Sequence, residues 1–204
     1  MIGEFSSYRI IDLLESGASS FVKGEIKNFS STYKPASGKT PAQKNDDVES
    51  FLKKKAENFS RQNLSMTHLV LSSVNQELLG YFSLTVKPIS IPAKFVDVSN
   101  STKRKWAKFA SYDKDRHVYI ASSYLIAQLG KNYSKTVQHS ISGDELLDIC
   151  MAKIKECQDV IGGGIVFLEC EKKENDTKLV DFYHKNGFVE YNVRNNLVQM
   201  VQRI

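Results

Sequence analysis

The residues best suited to binding an anion lie where a strand-like segment gives way to a helix-like one. Ser142 and Gly143 open a stretch, 142–160, whose apolar residues recur at helical intervals. Amide groups in the first turn of a helix have no partner within it, and together with the helix dipole they favour a diphosphate. Asp144 and Glu145 suit the same position in a helix that binds nothing. The residues alone leave both interpretations open, a phosphate-binding loop or a plain helix start.

A second pattern, F-Y-x-x-x-G-F, lies near the C-terminus in a segment that predicts a helix over 175–188. Gly187 falls where a helix ends, since glycine readily adopts the left-handed conformation that follows the last turn. By spacing alone, Tyr183 is a half-buried aromatic residue of this helix.

Two glycine-containing stretches do not predict a phosphate site. The sequence SGKT at 37–40 resembles the end of a nucleotide-binding P-loop, but Tyr33 stands where the first glycine belongs and a proline lies inside the loop. The glycines at 162–164 follow a helix instead of opening one, so they are interpreted as a turn.

Composition predicts one globular domain over 1–204, with 41% apolar and 25% charged residues. No apolar run approaches the ~20 residues of a membrane helix, and the N-terminal residues do not resemble a signal peptide. The three cysteines (Cys150, Cys157 and Cys170) form no metal-binding or disulfide pattern, so we expect buried thiols, no metal site and a cytoplasmic protein.

The chain is mildly basic, with a net charge of +5 and a pI near 9.0. Basic residues gather at 24–44, 53–61 and 101–116. A positive surface speeds encounters with polyanions such as nucleic acid or a phosphorylated cofactor, although most basic runs are only solvated faces.

The patterns predict alternating strands and helices. We expect either a first strand or a strand–helix junction at 8–14, then helices at 18–29 and 45–64 and a hairpin of strands at 67–74 and 77–91. A basic helical insert follows at about 92–116, with Trp106 and Phe109 packed. The remaining elements are a strand at 117–129, a helix at 142–160, a strand at 163–171, a helix at 175–188 and two closing strands. The Ser-, Pro-, Gly- and Lys-rich segment 30–45 predicts a mobile loop.

Together, this element order, the loop at 138–145 and the F-Y-x-x-x-G-F pattern resemble the GNAT superfamily of N-acetyltransferases over roughly residues 45–204. The resemblance implies an α/β (α+β) fold with a mixed, mostly antiparallel central sheet flanked by helices. It also implies acetyl-CoA as cosubstrate, with its pyrophosphate held by the loop before the 142–160 helix.

The resemblance assigns roles to particular residues. Cofactor-binding positions are Leu129, Gly130, Lys131, Gln138, Ile141, Ser142, Gly143 and Asp144. The backbone amides of the first three would stabilise the oxyanion, and Gly130 would leave room for the pantetheine arm. Tyr183 would act as the acid that protonates the departing thiolate. A base is not identified: Glu169 or Glu171 acting through water is one option, and an acceptor amine of low pKa needs none.

A narrower likeness to acetyltransferase toxins of toxin–antitoxin pairs covers "VESFLKKKAENFSRQNLSMTHLVLSSVNQELLGYFSLTVKPI" and the basic segment 101–110. Such toxins acetylate the amino group of aminoacyl-tRNA. The likeness implies tRNA and a protein antitoxin as partners, with Lys103 and Arg104 on the substrate surface. A homodimer is a further option, and no membrane contact is expected.

Departures from the family pattern keep alternatives open. Gln128 stands where the family usually has Arg, and Ile141 replaces the first loop glycine, although a β-branched residue hinders close phosphate approach. The alternatives are a GNAT enzyme that acetylates a small-molecule or protein amine, and a non-catalytic module with the same fold.

Overall fold

The computed structural model describes residues 5–33, 45–96, 100–134, 137, 140–171 and 177–204. The chain divides into two compact units. The first unit comprises Met1–Leu84 and Ala127–Lys153, and the second comprises Thr85–Ile126 and Ile154–Ile204. Most of the loop predicted at 30–45, residues 34–44, lies outside the described residues. A single GNAT-like domain stays a prediction.

The N-terminal half of the chain supplies one strand, four helices and then a hairpin. These elements are β1 (Phe5–Arg9), α1 (Ile10–Glu15), α2 (Ser19–Asn28), α3 (Asp46–Lys54), α4 (Ala56–Arg61), β2 (Met66–Ser72) and β3 (Leu78–Pro92). The predicted 45–64 helix is therefore two helices, since the chain bends at Lys55 (φ −123°, ψ −31°). Asn45 caps α3, where both Asn45 and Asp46 are suitable capping residues by type, and it accepts a hydrogen bond from the Val48 amide at 3.2 Å.

The C-terminal half supplies the remaining elements. These are α5 (Ala93–Val96), α6 (Asn100–Trp106), β4 (Ala110–Asp113), β5 (Val118–Lys131), α7 (Gly143–Ile161), β6 (Ile165–Glu171), α8 (Lys178–Lys185), β7 (Val189–Arg194) and β8 (Leu197–Arg203). The basic insert is partly helical, but β4 was not predicted. Trp106 is buried as expected, whereas Phe109 is 38% exposed.

The strands form an eight-stranded sheet in the order β1-β2-β3-β5-β6-β8-β7, with β4 paired to β5. The pairs β1–β2, β2–β3, β4–β5, β6–β8 and β7–β8 are antiparallel, and β5–β6 is parallel. The expected mixed, mostly antiparallel sheet with helices is confirmed. No helix within the described ranges is long and apolar enough to cross a membrane.

Each unit has its own apolar core. In the first unit, Tyr81 is fully buried, donates a hydrogen bond from its hydroxyl to the Val48 carbonyl at 2.6 Å and lies edge-on to Phe29. Burial raises the pKa of the Tyr81 phenol, which therefore acts as a donor. In the second unit, Trp106, Tyr119 and Phe167 belong to one cluster.

Candidate functional site

The start of α7 is a reciprocal cap formed by Ser142 and Glu145. The Ser142 hydroxyl accepts a hydrogen bond from the Glu145 amide at 3.1 Å, and the Glu145 carboxylate accepts one from the Ser142 amide at 2.7 Å. This is a capping box, in which two amides at a helix start are satisfied by side chains. The hydrogen bonds from Ser142 lower the pKa of Glu145, with the positive charge of Lys131 as a smaller cause.

The cap changes what a ligand meets at this loop. Two amides in the range predicted to bind phosphate, those of Ser142 and Glu145, already have partners. Ser142 and Gly143 are exposed, and α7 begins at Gly143. The Ile141 side chain is only 1% exposed, so it anchors the loop in the core. Gln138 lies outside the described residues, as does the neighbouring His139.

The end of β5 holds Leu129, Gly130 and Lys131. A Cβ at Gly130 would lie 2.4 Å from Val48 Cγ1 and 2.7 Å from the Tyr81 ring, so no side chain fits. Packing within the protein's own core therefore explains why residue 130 is a glycine. That Gly130 also leaves room for the pantetheine arm stays a prediction. The described register of β5 with β6 comprises Tyr124↔Val166 and Leu125↔Phe167, and β5 itself continues to Lys131.

Lys131 at the end of β5 and Glu145 at the start of α7 affect each other's pKa through their opposite charges. The Lys131 ammonium lies 5.2 Å from the centre of the Tyr133 ring. Partial burial lowers the pKa of Lys131, while the carboxylate of Glu145 opposes that change. A cation and the capping carboxylate thus lie close to each other at the proposed diphosphate site.

Asn132, which sequence reasoning missed, fixes the chain just after β5. Its side-chain amide donates to the Leu78 carbonyl at 2.7 Å, and its backbone amide donates to the Leu79 carbonyl at 2.8 Å. Its side-chain oxygen accepts from the amides of Ser30 at 3.1 Å and Ser134 at 2.9 Å. A polar residue directly after a buried strand was the only signal in the sequence.

In the second unit, the end of α8 explains most of the F-Y-x-x-x-G-F pattern. The Phe188 amide donates to the Tyr183 carbonyl at 3.0 Å, and the Gly187 amide donates to the His184 carbonyl at 3.0 Å. With Gly187 at φ +85°, this is the Schellman motif. The apolar contact that accompanies such a motif is made by the rings of Tyr183 and Phe188, 5.6 Å apart.

Tyr183 is 7% exposed, more buried than spacing alone suggested. Its ring also lies 5.0 Å from that of Phe182. Packing accounts for an aromatic ring at this position, and the cap uses that ring together with the Tyr183 carbonyl. The hydroxyl is thus the part of the residue that the cap does not use.

The groups considered as bases have separate surroundings. Glu169 accepts a hydrogen bond from the Gln199 side chain at 2.6 Å. Burial, with Glu169 as the lesser cause, raises the pKa of Tyr191 to about 12. Glu171 and His184 are exposed. Nothing in these contacts singles out a base.

The predicted substrate surface is the basic segment that contains Lys103 and Arg104. Arg104 is exposed and Lys103 is half-buried, both on α6, which packs through Trp106. The thiols behave mostly as expected, since Cys150 and Cys170 are buried and Cys157 is half-buried.

The first unit also has a groove of about 540 Å³ among α1–α4. Its lining combines apolar residues with basic ones, including Lys23, Lys27 and Lys54. Of the predicted cofactor-binding residues that the structure describes, none lines this groove.

No family model and no curated protein sequence matches the chain. Solved structures do match. A bacterial toxin aligns with a TM-score of 0.64 at 13% identity, covering 98% of this chain and 90% of that one. AtaT complexed with acetyl-methionyl-tRNAfMet aligns with a TM-score of 0.60 at 15% identity, covering 96% of this chain and 94% of that one.

A tyrosine-to-phenylalanine mutant of the AtaT toxin, bound to acetyl-CoA and to the C-terminus of the antitoxin AtaR, aligns with a TM-score of 0.60 at 12% identity. That match covers 98% of this chain and 94% of the mutant toxin. At such identities the likeness concerns the fold. The chain has the GNAT fold of these toxins, as the sequence predicted.

Proposed function

We propose that the protein is an acetyl-CoA-dependent N-acetyltransferase whose acceptor is the amino group of an aminoacyl-tRNA. The observation that carries the proposal is the match of nearly the whole chain to AtaT, in structures that hold acetyl-CoA or acetyl-methionyl-tRNAfMet. Fold alone does not define function, so the residues of the proposed site must support it.

The diphosphate of acetyl-CoA is proposed to bind at the start of α7. A 19-residue helix offers a strong dipole there, and Ser142 and Gly143 are exposed. The proposed binding residues are Gln138, Ile141, Ser142, Gly143 and Asp144, with Leu129, Gly130 and Lys131 along the acyl and pantetheine part. Because the Glu145 carboxylate already accepts from the Ser142 amide, a diphosphate that uses this amide must displace that side chain.

In the proposed reaction, the amine nitrogen bonds to the thioester carbonyl carbon and the carbonyl oxygen becomes an oxyanion. Backbone amides at Leu129–Lys131 stabilise that charge. The carbon–sulfur bond then breaks, and the Tyr183 hydroxyl gives its proton to the thiolate. The amine of an aminoacyl ester has a low pKa and is therefore neutral when it attacks. After the attack the nitrogen gives a proton to water, and Tyr183 regains one from water, which restores the enzyme.

The basic segment 101–116 supports a polyanionic acceptor, with Lys103 and Arg104 as proposed tRNA contacts. A protein antitoxin is proposed as a further partner, in keeping with the AtaR segment bound to the AtaT mutant. Neither Lys103 nor Arg104 is among the residues proposed to bind acetyl-CoA.

The first test is a titration with acetyl-CoA, because failure to bind would exclude an enzyme of this class. The second measures transfer of labelled acetyl groups to charged tRNAs and to a panel of small amines, from low to moderate salt. We expect tRNA acetylation to fall steeply as salt rises, since phosphate contacts release counterions. Small-amine acetylation should respond weakly.

Charge reversal sharpens this test. Lys103→Glu with Arg104→Glu should reduce tRNA acetylation and flatten its salt dependence, while acetyl-CoA binding stays unchanged. Lys23→Glu with Lys27→Glu, on α2, makes the same change in net charge and serves as the control. Brisk transfer to a small amine with none to any charged tRNA would favour the small-molecule alternative.

A further inference from the structure

The segment 101–116 contains most of the chain's excess positive charge. It has six basic and two acidic side chains, a net charge of +4 in a chain whose net charge is +5. Five of the basic residues form no ion pair within the described part of the chain: Arg104, Lys105, Lys108, Lys114 and Arg116. Their charge is therefore available to an anionic ligand.

An exposed but fixed aromatic ring lies within this charged segment. Tyr112 on β4 is opposite Tyr119 on β5, and their ring centres are 4.9 Å apart. Tyr119 is 8% exposed, so it forms a buried support, whereas Tyr112 is 43% exposed. The Tyr112 hydroxyl also hydrogen-bonds His117 Nδ1 at 3.1 Å. Two contacts thus hold in place a ring that remains nearly half open to solvent.

The turn between β4 and β5 is also well fixed. The Asp113 carboxylate accepts hydrogen bonds from the amides of Asp115 at 3.1 Å and Arg116 at 3.0 Å. The His117 carbonyl accepts from the Ala93 amide at 3.0 Å. Lys114 and Arg116 are exposed on this turn. The Asp113 carboxylate is thus engaged in holding the turn.

Phe109, the residue just before β4, packs the hairpin against the rest of the second unit. A Cβ at Gly164 would lie 2.6 Å from the Phe109 ring, so this ring covers the glycine that precedes β6. Ala110 packs against the cluster that contains Trp106 and Tyr119. Helix α6 and the hairpin therefore share one core.

We propose that the hairpin 110–121 binds an unpaired nucleotide of the RNA acceptor, with its base stacked on Tyr112 and the adjoining phosphates at Lys114 and Arg116. This inference rests on the proposed function. Aromatic rings flanked by cations are the usual means of holding single-stranded nucleic acid, because every base has a face that can stack. A paired base within a helix offers no such face, so the site favours a single-stranded end or loop.

The test measures binding of tRNA, and of a short single-stranded RNA, across a range of salt concentrations. Tyr112→Leu keeps an apolar contact with Tyr119 but removes the aromatic face, and it should weaken binding by roughly tenfold to a hundredfold. The loss should be the same at every salt concentration, because stacking releases no counterions. Lys114→Glu with Arg116→Glu should instead flatten the salt dependence.

Matched variants identify the cause. Tyr8 is also 43% exposed, but it lies on β1 in the first unit, so Tyr8→Leu should leave RNA binding unchanged. Tyr112→Phe and Tyr112→Trp keep a stacking face and should bind RNA within about threefold of the wild type. These two variants test the proposal even if Tyr112→Leu misfolds. A large loss of RNA binding in both folded aromatic variants would contradict stacking.

Two failures are distinguishable. If wild-type protein binds acetyl-CoA and RNA but Tyr112→Leu binds RNA as tightly as wild type, the stacking site is overturned and the proposed function stands. If the wild-type protein binds acetyl-CoA and no RNA at any salt concentration, both the aminoacyl-tRNA acceptor and the stacking site are overturned.

Discussion

The start of α7 and the end of α8 both match family-like patterns, yet their caps are built differently. At α7, the side chains of Ser142 and Glu145 satisfy two of the amides at the helix start. At α8, backbone groups and the ring contact of Tyr183 with Phe188 complete the cap. A ligand at α7 must therefore compete with the cap, whereas a reaction at Tyr183 uses a hydroxyl that its cap does not employ.

The two helix ends therefore call for different tests. Around α8, Tyr183→Phe removes the hydroxyl and keeps the ring contact and the backbone cap. Around α7, the Ser142 amide belongs both to the cap and to the proposed binding groups, so stability and affinity must be measured together.

The largest expected effect is that of Tyr183→Phe. The ring and the cap remain, so the free energy of unfolding should hardly change, while turnover should fall by about 10²-fold for a lost general acid. Steady-state acetyl transfer and thermal melting are the measurements. Tyr191→Phe, which removes a hydroxyl elsewhere in the second unit, is the control. Wild-type turnover in Tyr183→Phe would contradict the role of Tyr183 as general acid and leave it as a packing residue of the α8 cap.

Gly143→Val tests the start of α7. An added branched side chain at an exposed helix start should hinder the approach of phosphate and weaken acetyl-CoA binding by roughly tenfold, the loss of one hydrogen bond to a charged group. Isothermal titration gives the affinity. Gly17→Val, at a glycine with no atom near its added Cβ, is the matched change. Unaltered affinity in folded Gly143→Val protein would place the cofactor elsewhere.

Gly187→Ala tests the cap of α8. Because Gly187 has φ +85°, alanine should cost roughly 1–2 kcal/mol of unfolding free energy, with little effect on acetyl-CoA affinity. Gly24→Ala, inside α2 with open space around it, should stabilise the protein by up to about 1 kcal/mol. Denaturant unfolding would give the free energy of unfolding of both variants. Equal values would mean that alanine at the left-handed position 187 is not strained.

Glu145→Ala should give the smallest change and the most informative one. Losing the capping carboxylate should cost roughly 0.3–1 kcal/mol of stability at pH 7. The folded protein lowers the pKa of Glu145, so this stabilisation is present above the unfolded pKa and is lost as pH falls through the folded one. The variant should therefore match the wild type in stability near pH 2.

The same variant should bind acetyl-CoA more tightly, by roughly twofold to fivefold, because a competing anion has gone from the helix start. Glu156→Ala, farther along α7, should change neither property in this way. Weaker cofactor binding in Glu145→Ala would show that the carboxylate supports the site instead of competing for it.

Local rules predicted the parts of the fold that local contacts determine. The helical spacing of apolar residues after Ser142 and Gly143 predicted the start of α7, and Gly187 predicted the end of α8. Strand β4 was missed because four residues among lysines and arginines show no alternation until Tyr112 is placed opposite Tyr119. Asn132 and Gly130 depend on partners far away in sequence, which no local pattern shows.

The site was predictable to a lesser degree. The sequence identified Tyr183 and the loop before α7, but it did not show that Glu145 occupies the loop's amides or that Ile141 is buried. Both facts depend on the direction of the side chains in the folded protein, which the order of residues does not specify.

Asn132 also sets an order in time. Its partners Ser30 and Leu78 precede it by 102 and 54 residues. During synthesis, the whole of Thr85–Ile126 leaves the ribosome between the two segments of the first unit. Closing a loop of that size costs entropy that only later contacts offset. A newly made chain therefore waits for residue 132 to emerge before Ser30 and the start of β3 gain the partner they share.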